Sequence, residues 1–211
     1  MNTLIPPSTL PRVSGLVLAG GRARRMDGCD KGLVELAGQP LIAHCLAAFA
    51  PQVDDLFISA NRNITAYEGY GHPVLQDHHA GFDGPLAGLQ RALESCRNDW
   101  LAVAPCDAPM LPGDLVARLL HANREQTSAA VIPHDGTQIQ PLFGLYSTRV
   151  LNSLRRYLDG GDHKVRIWLE TLAPLQVDFS DCPDAFTNIN TPQDLELAGQ
   201  RLHVAGEARA R

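Results

Sequence analysis

The sequence predicts an α/β fold, a single domain built on a mostly parallel central sheet with helices on both faces. Three observations lead there. Short apolar runs of strand character alternate with longer stretches whose apolar residues recur every three or four positions. Clusters of glycine, proline and asparagine separate them. No repeat, low-complexity tract or long linker interrupts the 211 residues, a length that suits one substantial core.

Residues 13–19 (VSGLVLA) read as a buried strand. Residues 41–50 read as a helix, with Pro40 near its first turn and Leu41, Ile42, Cys45, Leu46 and Phe49 on one face. Residues 55–60 form a short strand and residues 73–76 a weaker one. Residues 85–96 form a helix opened by Gly84-Pro85, with Leu86, Leu89, Leu93 and Cys96 at helical spacing. Residues 100–104 (WLAVA) are the clearest buried strand, stopped by Pro105-Cys106-Asp107-Ala108-Pro109. Residues 111–124 read as a helix, 129–133 and 142–146 as strands, 150–158 and 165–172 as helices, and 176–179 as a strand. Residues 191–202 form the last helix, with Thr191 as N-cap and Pro192 at its first position. The domain is expected over residues 13–204, between a flexible N-terminus (1–12) and a flexible tail (205–211).

Composition excludes several classes of function. A net charge of −5 argues against a general nucleic-acid binder, which needs a basic face. The first residues lack a basic segment followed by an apolar run, so no signal peptide is read, and no run reaches membrane-spanning length. Five widely spaced cysteines form no zinc or CxxC pattern, which points to free thiols and a cytoplasmic location.

In a parallel sheet, ligands bind in the crevice beyond the carboxyl ends of the strands. The first strand ends in Ala19-Gly20-Gly21, followed by Arg22, Arg24, Arg25 and then Lys31, preceded by Asp30. Glycines let backbone N–H groups approach phosphate oxygens, and cations neutralise them. An otherwise acidic chain that gathers four cations here suits a nucleotide polyphosphate. Lys31 serves as a point charge and Arg25 as a fork, while Arg22 and Arg24 fit a solvated loop. The other strand-end loops carry Asn61-Arg62-Asn63, Asp77 and Asp107.

Asp107 is a hard oxygen ligand at the mouth of the crevice, suited to Mg²⁺ shared with phosphate oxygens. The alternative for Asp107 is a helix cap near Pro112. Residues 84–88 either start a helix with close packing or hold base or ribose. Asn188 and Asn190 either form a turn before the last helix, contact a second substrate or complete a metal shell. The glycine turn also invites a dinucleotide-dependent oxidoreductase, but GxGxxG is absent. A non-catalytic nucleotide-binding protein would keep the glycine loop without needing Asp107. Cys106 as a reactive thiol lacks a neighbouring base.

The segments LAGG (18–21), RRM (24–26), DKGL (30–33), GPLAG (84–88), CDAP (106–109) and NINTP (188–192) resemble nucleotidyltransferases of the nucleoside-diphospho-sugar pyrophosphorylase-like fold. Within that group they are most similar to the molybdenum cofactor guanylyltransferase family. The resemblance spans residues 13 to about 197 and implies a Rossmann-like nucleotidyltransferase fold. It implies GTP binding by Leu18, Ala19, Gly20, Gly21, Lys31, Asn61, Asp77 and Asp107, with Mg²⁺ at Asp107. Arg25, Lys31 and Asp107 are the expected catalytic residues, and Asn188 and Asn190 candidate pterin contacts. It further implies transfer of GMP from GTP to molybdenum-bound molybdopterin, releasing pyrophosphate. Residues 13–110 would bind the nucleotide and 111–204 the pterin substrate, where Lys164 and Arg166 could meet its phosphate. Other cofactor-biosynthesis or cofactor-delivery proteins are candidate partners, and neither nucleic acid nor membrane is expected. CTP or a sugar-phosphate acceptor is the alternative substrate. Asp27 departs from the family's usual glycine and would sit badly beside a triphosphate unless it points away.

Overall fold

The computed structural model describes residues 11–19, 30–78 and 84–209, with side chains as far as residue 202. Among the described residues nine strands run in chain order: β1 (Val13–Leu18), β2 (Glu35–Leu36), β3 (Gln39–Pro40), β4 (Asp55–Ser59), β5 (Val74–Leu75), β6 (Trp100–Pro105), β7 (Ala130–His134), β8 (Leu145–Ser147) and β9 (Leu175–Asp178). Seven helices accompany them: α1 (Leu41–Phe49), α2 (Ile64–Glu68), α3 (Pro85–Ser95), α4 (Leu115–Ala122), α5 (Leu151–Asp159), α6 (Val165–Thr171) and α7 (Pro192–Arg209).

Seven strands form one sheet in the order β5-β4-β1-β6-β8-β7-β9. The pairings β5–β4, β4–β1, β1–β6 and β7–β9 are parallel, whereas β8 lies antiparallel to both β6 and β7. The chain steps outward from β1 to β4 and β5, then returns to the other side of β1 as β6. That reversal makes a crevice beyond the ends of β1 and β6, the place where such sheets bind ligands.

Alternation along the strands divides the core in two. Val13 and Val17 of β1, with Trp100, Ala102 and Ala104 of β6, pack with Ile42 and Phe49 of α1 and Leu115 and Leu119 of α4. Leu16, Leu101 and Val103 face the opposite way, toward Leu86, Leu89 and Leu93 of α3, Leu154 of α5 and Trp168 of α6. Helices therefore cover both faces, as the apolar periodicity predicts.

A third, smaller cluster has more bearing on function. Leu36 and Leu41 pack with Ile189 and Ala198. Leu36 belongs to the β2–β3 hairpin, whose two-residue turn places both Ala37 (φ 50°) and Gly38 (φ 80°) in the left-handed region. This contact docks α7 against the segment that follows Lys31. Asp194 Oδ2 accepts from the backbone N–H groups of Asn190 and Thr191 at 2.9 Å each, and the Asp194 N–H donates to Thr191 Oγ1 at 3.2 Å. That is a reciprocal cap at the position expected for Thr191. The helix then continues to Arg209.

Candidate active site

β5, β4, β1 and β6 are neighbours, so their parallel exits bring Asp77, Asn61, Ala19 and Asp107 to one edge of the sheet. The Ala19 N–H donates to Ser59 C=O at 2.8 Å, and the Cys106 N–H to Leu18 C=O at 3.0 Å, which carries the ladder past the strand ends. Gly20, Gly21, Arg22, Arg24, Arg25 and Asp27 lie outside the described residues.

Lys31 and Asp107, 76 positions apart in sequence, meet directly: Lys31 Nζ donates to Asp107 Oδ2. Both side chains are mostly covered, at 12% and 14% exposure. Lys31 Nζ also donates to Asn190 Oδ1 at 2.7 Å. Between the two asparagines, Ile189 is buried in the third cluster, and its N–H donates to Asp107 C=O at 2.9 Å. The Asn188-Ile189-Asn190 turn is thus fixed against the end of β6 and delivers one side-chain oxygen to Lys31. Sequence reading did not separate the roles within this turn, because Ile189's anchoring depends on α7 docking from far along the chain.

Asp107 does not cap α4, whose N-cap position is Asp114. Its Oδ1 is buried without a hydrogen-bond partner among the described residues. A hard oxygen with an open lone pair at the crevice fits Mg²⁺, which takes one or two carboxylates and fills its shell with phosphate oxygens and water. Among the described residues no three His, Cys, Asp or Glu converge on one point, so a protein-only cage is not built there.

The charge of Asp107 also reaches the buried thiols beside it. Burial, and then Asp107, push the Cys45 thiol up to about 12 and hold Cys106 well above the usual thiol range. Cys106 is therefore a neutral packing residue rather than a nucleophile.

Asn61 and Asp77, two of the GTP-binding candidates, form one unit. Asn61 Nδ2 donates to Asp77 Oδ2 at 2.7 Å, and the Asp77 N–H donates to Asn61 Oδ1 at 2.9 Å. The amide of Asn61 thereby orients the Asp77 carboxylate. Next along the chain, Gly84 (φ 81°) turns into α3, so the amino end of α3 also lies at this edge of the sheet. A Cβ on Gly88 would collide with Ser59 Oγ and press on Leu18 Cδ2, so that glycine serves close packing of α3 on the strand ends.

Two expected substrate contacts lie elsewhere along this edge. β7 runs parallel to β1 and β6, so the loop after it leaves the sheet on the same side. Arg166 Nη2 of α6 donates to Gln138 Oε1 in that loop at 2.8 Å. Lys164 contributes its backbone carbonyl to Tyr157 Oη at 3.1 Å.

A mostly parallel sheet that brings a lysine, an aspartate and a paired Asn–Asp unit to its switch point has the architecture of an α/β nucleotidyltransferase. Comparison with known proteins narrows the class. The family described as MobA-like NTP transferase domain matches residues 15–176. A molybdenum cofactor guanylyltransferase of Shewanella loihica is 43% identical over 192 residues, covering 91% of this chain and 98% of that protein. One from Cupriavidus pinatubonensis is 44% identical over 199 residues, covering 92% and 97%. The crystal structure of molybdopterin-guanine dinucleotide biosynthesis protein A from Archaeoglobus fulgidus superposes with a TM-score of 0.77 at 26% identity, covering 90% and 98%. The chain belongs to the MobA-like NTP transferase family.

Proposed function

We propose that this enzyme transfers GMP from GTP to molybdenum-bound molybdopterin, releasing pyrophosphate and forming the guanine dinucleotide cofactor. The observation that carries the reading is the meeting of Lys31 with Asp107 at the switch point, in a chain so similar to named guanylyltransferases. The terminal phosphate of the pterin attacks the α-phosphorus of GTP, and the bond to the β-phosphate oxygen breaks as pyrophosphate leaves. That nucleophile is anionic at neutral pH, so the site needs no general base. Its task is to align two anions and offset their repulsion.

Lys31, Arg25 and the amides of the glycine loop, Gly20 and Gly21, neutralise the triphosphate. Asn61 and Asp77 hold the nucleoside as a preformed pair. Asp107 would hold Mg²⁺, which would supply charge neutralisation at the phosphoryl groups. Asn190 holds Lys31 Nζ and, with Asn188, faces the incoming pterin. The link from Arg166 to the loop after β7 supports residues 111–204 as the pterin side, alongside the nucleotide side in 13–110. Free thiols at Cys45, Cys96, Cys106 and Cys182 support a reducing, cytoplasmic setting, and no helix among the described residues is long and apolar enough to cross a membrane. Other cofactor-biosynthesis proteins would supply the pterin and receive the product.

Pyrophosphate release by purified protein, with molybdopterin and each of GTP, CTP, UTP and ATP, tests the reading. Release with GTP alone is expected. Equal or greater release with CTP would contradict the guanylyl assignment.

A further inference from the structure

Lys31 is a long, flexible side chain on a segment with only a single 3₁₀ turn, Lys31–Leu33. Aiming its ammonium requires a fixed backbone. The fixing groups lie beneath it. Asp30 is a carboxylate with a side chain only 3% exposed, deep for an acid. It accepts from Tyr67 Oη at 2.5 Å and from Asn63 Nδ2 at 2.9 Å, and Arg62 Nε lies 3.4 Å away. The Asp30 carbonyl accepts from the Leu33 N–H at 3.0 Å and closes the turn.

The other flank of Lys31 is equally constrained. A Cβ on Gly32 would lie 2.5 Å from Tyr67 Oη and 3.2 Å from Cys106 Sγ. The Tyr67 hydroxyl therefore braces the residues on both sides of the lysine. Tyr67 has no exposed surface, and burial together with the bond to Asp30 holds its phenol far above the ordinary range, so it stays a donor. Asn63 adopts the left-handed conformation (φ 50°, ψ 35°), which asparagine tolerates better than most residues. Asn63 shares its loop with Asn61, so one short connection holds both the lysine side and the Asp77 side of the site.

We propose that Asp30, held by Tyr67 and Asn63, is the positioning residue for Lys31 in nucleotidyl transfer. It acts through the lysine and makes no contact with nucleotide. The inference rests on the reading of Lys31 as a phosphate ligand and adds the device that aims it.

A double-mutant cycle tests it, with kcat/KM for GTP as the readout and circular dichroism as the check on folding. Tyr67→Phe should lower kcat/KM about tenfold, the size of one charge-assisted hydrogen bond. Asn63→Gly, at an exposed position whose left-handed backbone glycine accepts, should lower it about threefold. In a Lys31→Gln background each should change kcat/KM by less than about twofold, because the group they aim is gone. Full effects of both in that background, or no effect of either in the native protein, overturn the inference. If Tyr67→Phe does not fold, the Asn63→Gly arm decides by the same criteria. Wild-type kcat/KM in Lys31→Gln alone would overturn the phosphate role of Lys31 itself and the positioning role with it. The single variant makes that outcome distinguishable.

Discussion

Asp107 and Glu94 are both mostly covered carboxylates that bind a cation, and their surroundings differ in one respect. Glu94 Oε1 accepts from Arg155 Nη2 at 2.9 Å and Gln90 Nε2 at 3.1 Å, and its Oε2 from Arg91 Nη1 at 2.9 Å and faces His78 Nε2 at 2.7 Å. Each of its oxygens is satisfied. The knot ties α3 to α5, and Arg91 Nε adds a bond to Gln76 C=O at 3.0 Å, just before Asp77. Asp107 has one oxygen on Lys31 and the other without a hydrogen-bond partner among the described residues. A buried acceptor left open costs stability, so its retention points to a ligand, whereas a saturated carboxylate points to architecture.

Substitutions sharpen this contrast, beginning with the largest effect. Asp107→Asn should keep the fold and lower the rate of pyrophosphate release by at least about 100-fold, the scale of losing an electrostatic group at a reacting centre. A rate within threefold of wild type would place the metal ligand elsewhere. Lys31→Gln should raise KM for GTP and lower kcat, with a combined loss of about tenfold or more, seen in steady-state kinetics.

Glu94→Gln should leave kcat/KM within about threefold while lowering Tm near neutral pH, because it breaks structure and not chemistry. Burial would raise the Glu94 carboxyl, but bonds from Arg155, His78, Gln90 and Arg91 outweigh it and bring it to about 2 from 4.5. Its stabilisation is therefore fully present above about pH 4.5 and lost as pH falls toward 2. The Tm difference between native and Glu94→Gln protein should shrink through that window. A difference independent of pH would break the comparison. The smallest effect concerns Cys106. Its buried, protonated thiol should resist alkylation in native protein at pH 8, as counted by mass spectrometry, while the half-buried Cys182 reacts first.

The Asp107 side of this contrast was legible in the residues themselves. The strands β1, β4 and β6 are apolar runs that end in polar loops, and the doubly wound rule then places Asp107 beside the Lys31 segment. The direction of β8 was not legible, since it is set by neighbouring strands. The β2–β3 hairpin has only two residues per strand, too few for a periodic signal. Asp30 was visible beside Lys31, but its partners Tyr67 and Asn63 stand more than thirty positions away on a loop and a one-turn helix. Asn61 and Asp77 were each expected to bind GTP. Their mutual pairing follows from β4 and β5 being neighbours, a tertiary fact. Gln90 and Arg91 stand four and three positions before Glu94 on α3, a helical spacing, whereas its other partners His78 and Arg155 come from a loop and from α5 and are tertiary facts.

Calorimetric titration of GTP into native and Asp107→Asn protein, with and without Mg²⁺, tests the shared site most directly. Mg²⁺ should tighten GTP binding to the native protein and leave binding to the variant unchanged. The same tightening in both proteins would contradict the assignment of Asp107 and the account built on it.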